Sequence, residues 1–599
     1  MLGYWNGFPF WQTFLLCACG GSLGVLFTIP LRRAMVVNSD LPYPEGRAAA
    51  EILKVGSHNA GQGPQSNSGM GDIVSGGFVA GLISLCANGF KVLGDSMSFW
   101  LPVGKGITQI PLGFSTALLG AGYLIGIASG IAILVGVLIA WAGFVPYLTN
   151  ALAPDGGVTA KFAMGVWKEK VRFIGAGAIG IAAIWTLITL IKPIIEGMKI
   201  SLQSMSGSAA ERELHRMDTD MSTKSVMLTF AVILVGLVIT FWDFVSAVPI
   251  SAGLMWTLVV VGVVVALLIG FFVAAACGYM AGLIGTSASP ISGIGILATI
   301  ISSLVVYFIA SENNLFATEA GVQFATAMAI FMTSVVIAIA SISNDNLQDL
   351  KTGQLVGATP WRQQIALLLG SVAGAVAIAP VLNLLYQAYG FTGALPRAEM
   401  DPNAALSAPQ ATLMTTIAQG IFNSSMDWNY ILIGVVVGIV AIIVNVILKS
   451  TTASLTLPPL AVGMGIYLPP TLEVPLIVGS FMSYFVGRYL IARAKMRAGE
   501  LAEYDVEQSN RRGVLFASGL IVGESLIGVI IAVIIVLSVT TGGGESPLQL
   551  VGPEFESTAG WLGLLAFIFA GLYLVRRVVT HKFDKEEALA MKAEQEQAK

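Results

Sequence analysis

The chain has 599 residues, of which 55% are hydrophobic and 11% are charged. Soluble domains carry about 25% charged residues, so this composition excludes a soluble globular enzyme, a disordered chain and a coiled coil. The 31 Lys and Arg residues against 34 Asp and Glu residues give a net charge of −3, which leaves no strongly basic face for nucleic acid. The composition predicts a polytopic membrane protein.

Stretches without Asp, Glu, Lys or Arg recur along the chain, and a helix needs roughly 20 apolar residues to cross a bilayer. Single crossings are predicted at residues 13–31, 73–90, 173–191, 225–242, 320–344, 363–396, 428–448, 513–540 and 557–575. The longer run 106–154 predicts at least two crossings and 244–311 predicts two with a break between them. The run 450–487 predicts two shorter pieces separated by Pro469, Pro470 and Glu473. The sequence therefore predicts an all-α membrane fold of about fourteen transmembrane helices with broken or re-entrant segments.

Lys and Arg collect in alternate loops, and this asymmetry predicts the orientation. Residues 488–512 and 576–599 are rich in Lys and Arg, whereas residues 541–556 contain neither. We therefore expect a plasma (inner) membrane protein whose C-terminal tail, 579–599, is cytoplasmic. The basic residues within 161–172 disagree with this count of crossings.

Residues 117–141 and 460–484 align without gaps at an offset of 343 residues. Their glycines coincide at three positions, and both copies interrupt an apolar segment. Transporters are often built from such repeats around broken helices, whereas ordinary close packing of helices also selects small residues. The alignment predicts repeat halves at 1–243 and 244–540, followed by a C-terminal helix at 557–578.

Glu524 interrupts the apolar run 513–540 and is predicted to couple transport to protons. It lies about eleven residues past Arg512–Gly513, or ~16 Å of helix, which places it near the middle of the membrane. A carboxylate at that depth is costly and marks a functional site by default. The alternative is a neutral acid that only hydrogen bonds a neighbouring helix.

Polar side chains near the interrupted segments are the candidates for substrate binding. Pro290 and the flanking glycines break the run 244–311 at residues 285–293, and hydroxyls at the same depth could contact a substrate; a simple loop between helices is the alternative. The candidate substrate-binding residues are Tyr123, Tyr279, Thr286, Ser287, Ser289 and Tyr467.

Two further segments have a distinctive composition. Asp345 and Asp349 would share one face of a helix, where they could bind a divalent cation or proton or belong to a solvated turn. Glu45 follows two prolines in LPYPEG, which also suits a capped helix start. The four cysteines and three histidines form no CxxC pair or cluster, so we expect no resident metal and no cofactor.

Together the segments LPYPEG, NDNLQDLKTGQLVGATP, SPISG, GMGIYLPP and GLIVGES resemble the oligopeptide transporter (OPT) family, whose relatives include the yellow-stripe-like metal-chelate transporters. The resemblance implies that Glu45, Asp345, Asp349 and Lys351 are motif residues. Two departures are Ser289, where many relatives have Asn, and a start close to the first predicted helix, which implies a shortened member or missing helices.

The resemblance implies a proton-coupled symporter rather than an enzyme. Its expected partners are a small peptide or peptide-like substrate, protons and the lipid bilayer, without nucleic acid; a homodimer stays open. Uptake of metal chelates is the main alternative. An intramembrane enzyme with Mg²⁺ at Asp345 and Asp349 is a weaker one because no second Asp-rich cluster exists in the sequence, and no P-loop is present for ATP-driven pumping.

Overall fold

Long apolar segments form helices in this chain because backbone polar groups inside a membrane must be satisfied within the segment. In the computed structural model, twelve helices of the described residues are long and apolar enough to cross a membrane, as expected of an all-α, multi-pass membrane protein. The structure describes residues 5–583 apart from 6, 40, 42, 44–45, 47–48, 51–52, 54–66, 154–156, 183, 186–187, 190–215, 285, 287–290, 392, 398–399, 401–404, 407, 424–427, 453–454, 498, 545 and 581–582.

The helices of the described residues are numbered in chain order. They are α1 (Phe10–Arg32), α2 (Asn67–Ser84), α3 (Thr116–Leu138), α4 (Val145–Ala151), α5 (Ala160–Val166), α6 (Thr223–Ser246), α7 (Ala252–Ile284), α8 (Ile291–Glu312), α9 (Glu319–Leu355), α10 (Pro360–Tyr389), α11 (Pro409–Asn423), α12 (Trp428–Thr451), α13 (Pro459–Tyr467), α14 (Pro470–Arg497), α15 (Ala502–Thr540) and α16 (Glu556–Val579). The strands are β1 (Ser96–Val103) and β2 (Gly106–Gly113).

The chain divides into two compact units. The first unit combines residues 1–62 with 183–427, and the second combines 63–182 with 428–599. These boundaries describe spatial clustering, whereas the predicted halves 1–243 and 244–540 describe sequence repetition, which stays a prediction. The predicted crossing at 173–191 lies partly outside the described residues, and so does most of the tail 579–599.

The first unit is organised around α9. Gly24 on α1 allows the two helices to approach closely, since a Cβ there would lie 2.7 Å from the carbonyl oxygen of Ile339 on α9. Phe331 on α9 stacks on Phe244 of α6 with ring centroids 4.1 Å apart. Helix α9 is therefore the buried centre of this unit, and it carries the predicted motif block.

In the second unit, the start of the run 106–154 differs from its prediction as helix. Residues 106–113 form β2, which pairs antiparallel with β1 so that Ser96 lies opposite Gly113. The segment GITQIPLG contains three β-branched residues, which favour strands, and Pro111, which lacks an N–H for a helix. A count of uncharged residues cannot distinguish such a strand from a helix, which explains the error.

Helix α3 is broken at Gly126, whose dihedral angles of φ 78° and ψ 172° are not helical. Only glycine adopts this backbone conformation readily. The break aligns, at the offset of 343 residues, with Pro469 between α13 and α14. Both copies of the predicted repeat are therefore interrupted at the same place.

The two broken segments pack against each other through reciprocal glycine contacts. A Cβ on Gly122 would lie 2.2 Å from the carbonyl oxygen of Leu476, and one on Gly465 would lie 2.2 Å from that of Ile133. Applying the offset of 343 exchanges these two contacts. The same exchange relates two more contacts, Gly136 with Val462 and Gly479 with Leu119. This two-fold relation supports an internal duplication.

Candidate functional site

Glu524 lies on α15, and its half-buried carboxylate contacts the N-terminus of α3. Oε1 accepts a hydrogen bond from the Ser115 hydroxyl at 2.8 Å. Oε2 accepts from the Thr116 hydroxyl at 2.7 Å and from the Ala117 backbone N–H at 2.8 Å. Three donors and the positive end of a helix dipole stabilise negative charge on this group.

Ser115 connects the acid to the helix start. Ser115 is the N-cap residue of α3. Its hydroxyl oxygen accepts a hydrogen bond from the Leu118 N–H at 3.1 Å, and the same hydroxyl donates to Glu524. Ser at this position satisfies a backbone donor that the helix itself leaves unpaired. The sequence GLIVGES on α15 and the start of the first repeat copy therefore form one polar contact within an apolar bundle.

A second polar group lies at the end of α13, just before the break. The Arg172 guanidinium donates from Nη2 to the Tyr467 hydroxyl at 2.8 Å. Its carbon atom Cζ lies 4.5 Å from the centre of the Tyr467 ring and 5.3 Å from that of Trp167. Its buried Nε has no hydrogen-bond partner, and no salt bridge involves Arg172 among the described residues. A carboxylate is the complementary ligand for such a guanidinium.

The motif segments of the first unit meet one another. The backbone N–H of Tyr43, in LPYPEG, donates to the carbonyl of Gly282 near the end of α7 at 2.8 Å. Gln348 on α9 donates from Nε2 to the carbonyl of Ala281 at 2.7 Å and accepts from the Gly46 N–H at 2.8 Å. Three segments that are far apart in sequence thus form one hydrogen-bonded cluster.

Tyr43 is the buried centre of this cluster. Its backbone has a left-handed φ of 45°, and its hydroxyl donates to the carbonyl of Met35 at 2.9 Å. Burial raises the pKa of the Tyr43 hydroxyl, so the hydroxyl remains a donor. The strained dihedral is maintained by contacts on both the main chain and the side chain.

The predicted motif residues have different surroundings. Lys351 is buried and donates from Nζ to the carbonyl of Val36 at 3.2 Å. Asp345 and Asp349 are exposed on α9. Glu45 lies outside the described residues. The roles assigned to these residues stay predictions.

The predicted substrate-binding residues fall in both units. Tyr123 is buried on α3 beside Gly513 of α15, and Tyr467 is buried at the end of α13. Tyr279 on α7 and Thr286 after it are half-buried in the first unit. Ser287 and Ser289 lie outside the described residues.

Several buried polar residues have no role in the sequence-based predictions. Asp72 on α2 is buried and forms a bidentate ion pair with Arg512, at 2.6 and 3.0 Å. Asn344 on α9 is buried with neither polar side-chain atom hydrogen bonded. Glu473, near the start of α14, is buried as well, and neither carboxyl oxygen has a hydrogen-bond partner. In the sequence, Glu473 is marked as unusual because it is an acid between Pro470 and Pro475 in an otherwise apolar run.

Comparison with known proteins identifies similar chains. The sequence model of the family described as OPT oligopeptide transporter protein matches residues 1–535. A Haemophilus influenzae protein whose name contains the words oligopeptide transporter is 53% identical over 97% of this chain and 90% of its own length. The metal-nicotianamine transporter YSL1 of Arabidopsis thaliana is 24% identical over 86% of this chain and 72% of its own length. A rice protein named for metal-nicotianamine transport, YSL10, is 24% identical over 84% of this chain and 71% of its own length.

Proposed function

Since the chain belongs to the oligopeptide transporter family, whose members are transporters and not enzymes, we propose that it is a proton-coupled symporter of oligopeptides or peptide-like molecules. It is a multi-pass membrane protein. We place it in the inner membrane with a cytoplasmic C-terminus, which is supported by the basic residues after α16 and the absence of Lys and Arg in the sequence 541–556.

The contact between Glu524 and the start of α3 carries the proposal of proton coupling. The Glu524 carboxyl group accepts three hydrogen bonds, from Ser115, Thr116 and Ala117. Protonation removes the negative charge from the helix N-terminus and converts one acceptor oxygen into a donor, so the contact weakens. The charge of Glu524 is thereby linked to the position of a broken helix, which is the element that moves in an alternating-access cycle.

Substrate recognition is proposed around the break that follows α13. Arg172 has a buried Nε without a hydrogen-bond partner among the residues that the structure describes, and its guanidinium lies beside the Tyr467 ring. A peptide offers a terminal carboxylate that matches this donor geometry. Tyr123, in the same unit, stays a proposed contributor of a hydroxyl group. Tyr279, Thr286, Ser287 and Ser289 stay predicted substrate-binding residues of the first unit.

Metal-chelate uptake is the second candidate function. Plant relatives that align with more than four-fifths of this chain are named for transport of metal-nicotianamine. A chelate whose ligand carries free carboxylates would suit the same guanidinium, so Arg172 does not discriminate between the two substrate classes. We place peptides first because the 53% identical relative is named for them.

Reconstituted protein tests the coupling. Uptake of a radiolabelled peptide such as trialanine is measured in proteoliposomes with and without an inward proton gradient. We expect the gradient to accelerate uptake in the wild type, and Glu524→Gln to abolish that acceleration at unchanged protein yield. Glu554→Gln, a change at an exposed acid outside the spans, serves as the control. Gradient-driven uptake by the Glu524→Gln variant equal to wild type would contradict the assignment.

The substrate class is tested by competition in the same vesicles. Tri- to pentapeptides and glutathione are set against metal-loaded chelators, each with and without the proton gradient. Competition by the peptides alone supports the first candidate. Competition by metal-loaded chelators, and not by the metal-free chelators or the peptides, would replace it with the second.

A further inference from the structure

Glu473 is a buried acid for which the proposed mechanism has no role. It lies in the first turn of α14, close after the break that separates this helix from α13. Its side chain has no exposed surface, and neither carboxyl oxygen forms a hydrogen bond within the part of the chain that the structure describes. A buried carboxyl group with no partner is rare in proteins because its desolvation is uncompensated.

The elements packed against α14 provide no charge that compensates Glu473. Strand β2 carries no titratable side chain, α3 carries only Tyr123, and α13 carries only Tyr467. Glu524 is the one acid in the apolar part of α15, and it is bonded to the start of α3. On α16 the charged residues lie near its ends, at Glu556, Arg576 and Arg577. Among the described residues, no ion pair includes Glu473.

The surroundings therefore determine the charge state of the group. An ionised carboxylate without partners in an apolar environment is far less stable than the neutral acid. Glu473 accordingly holds a proton in this conformation. Because no surface of the side chain is accessible, a proton fits at this carboxyl group, whereas a metal ion or a substrate ammonium group does not.

The position of Glu473 favours the opposite state once water reaches it. Acids in the first turn of a helix are stabilised as anions by the helix dipole, and water would supply the missing hydrogen bonds. Opening the break between Tyr467 and Pro470 would hydrate the carboxyl group and release its proton to water. Closing the break would require uptake of a proton from water before the carboxyl group is buried again.

We propose that Glu473 is a second proton-binding site of the transport cycle, distinct from Glu524 and loaded when the break before α14 is closed. The proposal rests on the proposed proton-coupled symport and adds a residue to it. It predicts that the proton dependence of transport requires Glu473 even when Glu524 is intact.

Infrared difference spectroscopy tests the charge state without any need for transport. The reconstituted wild type, compared with Glu473→Gln at neutral pH, should show the carbonyl stretching band of a protonated carboxylic acid. Glu319→Gln, a change at an exposed first-turn acid on α9, should leave that band unchanged. A spectrum in which the band is missing from the wild type, or retained in Glu473→Gln, would overturn the proposal. This result does not depend on the substrate, so it separates the proposal from failure of the proposed function.

Transport measurements test the coupling role. Gln resembles the neutral acid, so Glu473→Gln should retain exchange of trialanine across the vesicle membrane without a gradient, while the ratio of uptake with and without a proton gradient falls to unity. Glu473→Asp keeps a titratable group and should restore part of the gradient dependence. A normal gradient ratio in Glu473→Gln would overturn the coupling role. If Glu473→Gln and Glu473→Asp both folded but both lost trialanine exchange, Glu473 would have a structural role instead.

Discussion

The reciprocal glycine contacts make a quantitative prediction for Gly122→Ala and Gly465→Ala. At each position the added Cβ would lie 2.2 Å from a backbone carbonyl oxygen, whereas ordinary contact begins at 3.4 Å. A main-chain oxygen cannot rotate away, so the two helices must separate by about 1 Å to relieve the overlap, and overpacking of this kind costs about 1–3 kcal/mol. We expect each variant to lose about 1 kcal/mol of stability, because the helical preference for Ala over Gly offsets about 1 kcal/mol of the overpacking cost.

The assay is thermal unfolding of the purified protein in detergent, together with gradient-driven uptake. Gly487→Ala is the matched control because that glycine lies within a helix of the same unit, α14, and a Cβ there would meet nothing within 4 Å. It should be neutral or slightly stabilising. Because the offset of 343 exchanges the two contacts, Gly122→Ala and Gly465→Ala should lower the melting temperature by similar amounts. If Gly122→Ala behaved like Gly487→Ala while Gly465→Ala unfolded early, the two-fold packing would be refuted.

Three further predictions concern polar contacts. Asp72→Asn leaves a guanidinium without its buried counter-charge and should cost about 3 kcal/mol, seen as earlier thermal unfolding; unchanged unfolding would show that the ion pair is not important for stability. Thr116→Val removes one charge-assisted hydrogen bond to Glu524, about 1.5 kcal/mol, and should lower the initial rate of gradient-driven uptake by roughly tenfold; an unchanged rate would contradict this coupling. Tyr467→Phe frees the Arg172 guanidinium from its hydroxyl partner. The KM for trialanine should rise, whereas the KM for the C-terminal amide of trialanine should not change. Equal changes in the two KM values would argue against carboxylate recognition.

Most membrane helices could be predicted from the sequence because a bilayer imposes one dominant requirement, an apolar segment long enough to cross it. Helix α16 thus covers the predicted helix at 557–578. The same rule misassigned residues 106–113, because a strand can also lack charged residues. Helix α9 continues to Leu355, beyond the predicted end at residue 344, since charged residues at the end of a span do not stop the backbone from remaining helical.

The candidate site was predictable only in part. Glu524 was conspicuous as the one charged residue in an apolar run, but its partners are more than 400 residues away in sequence. In the motif block, the charged Asp345 and Asp349 that the sequence makes conspicuous are exposed, whereas Asn344 is fully buried. Charge is visible in a sequence, while burial depends on which face of α9 meets its neighbours.

The two acids of the second unit show why burial and bonding must be considered together. Glu524 is half-buried, and its carboxyl oxygens accept three hydrogen bonds. Glu473 is completely buried and has none, so its surroundings favour the neutral acid. The two acids therefore differ in burial and in bonding within one conformation. The proposed cycle requires that the start of α3 and the break before α14 both rearrange, and close glycine contacts join α3 to α14.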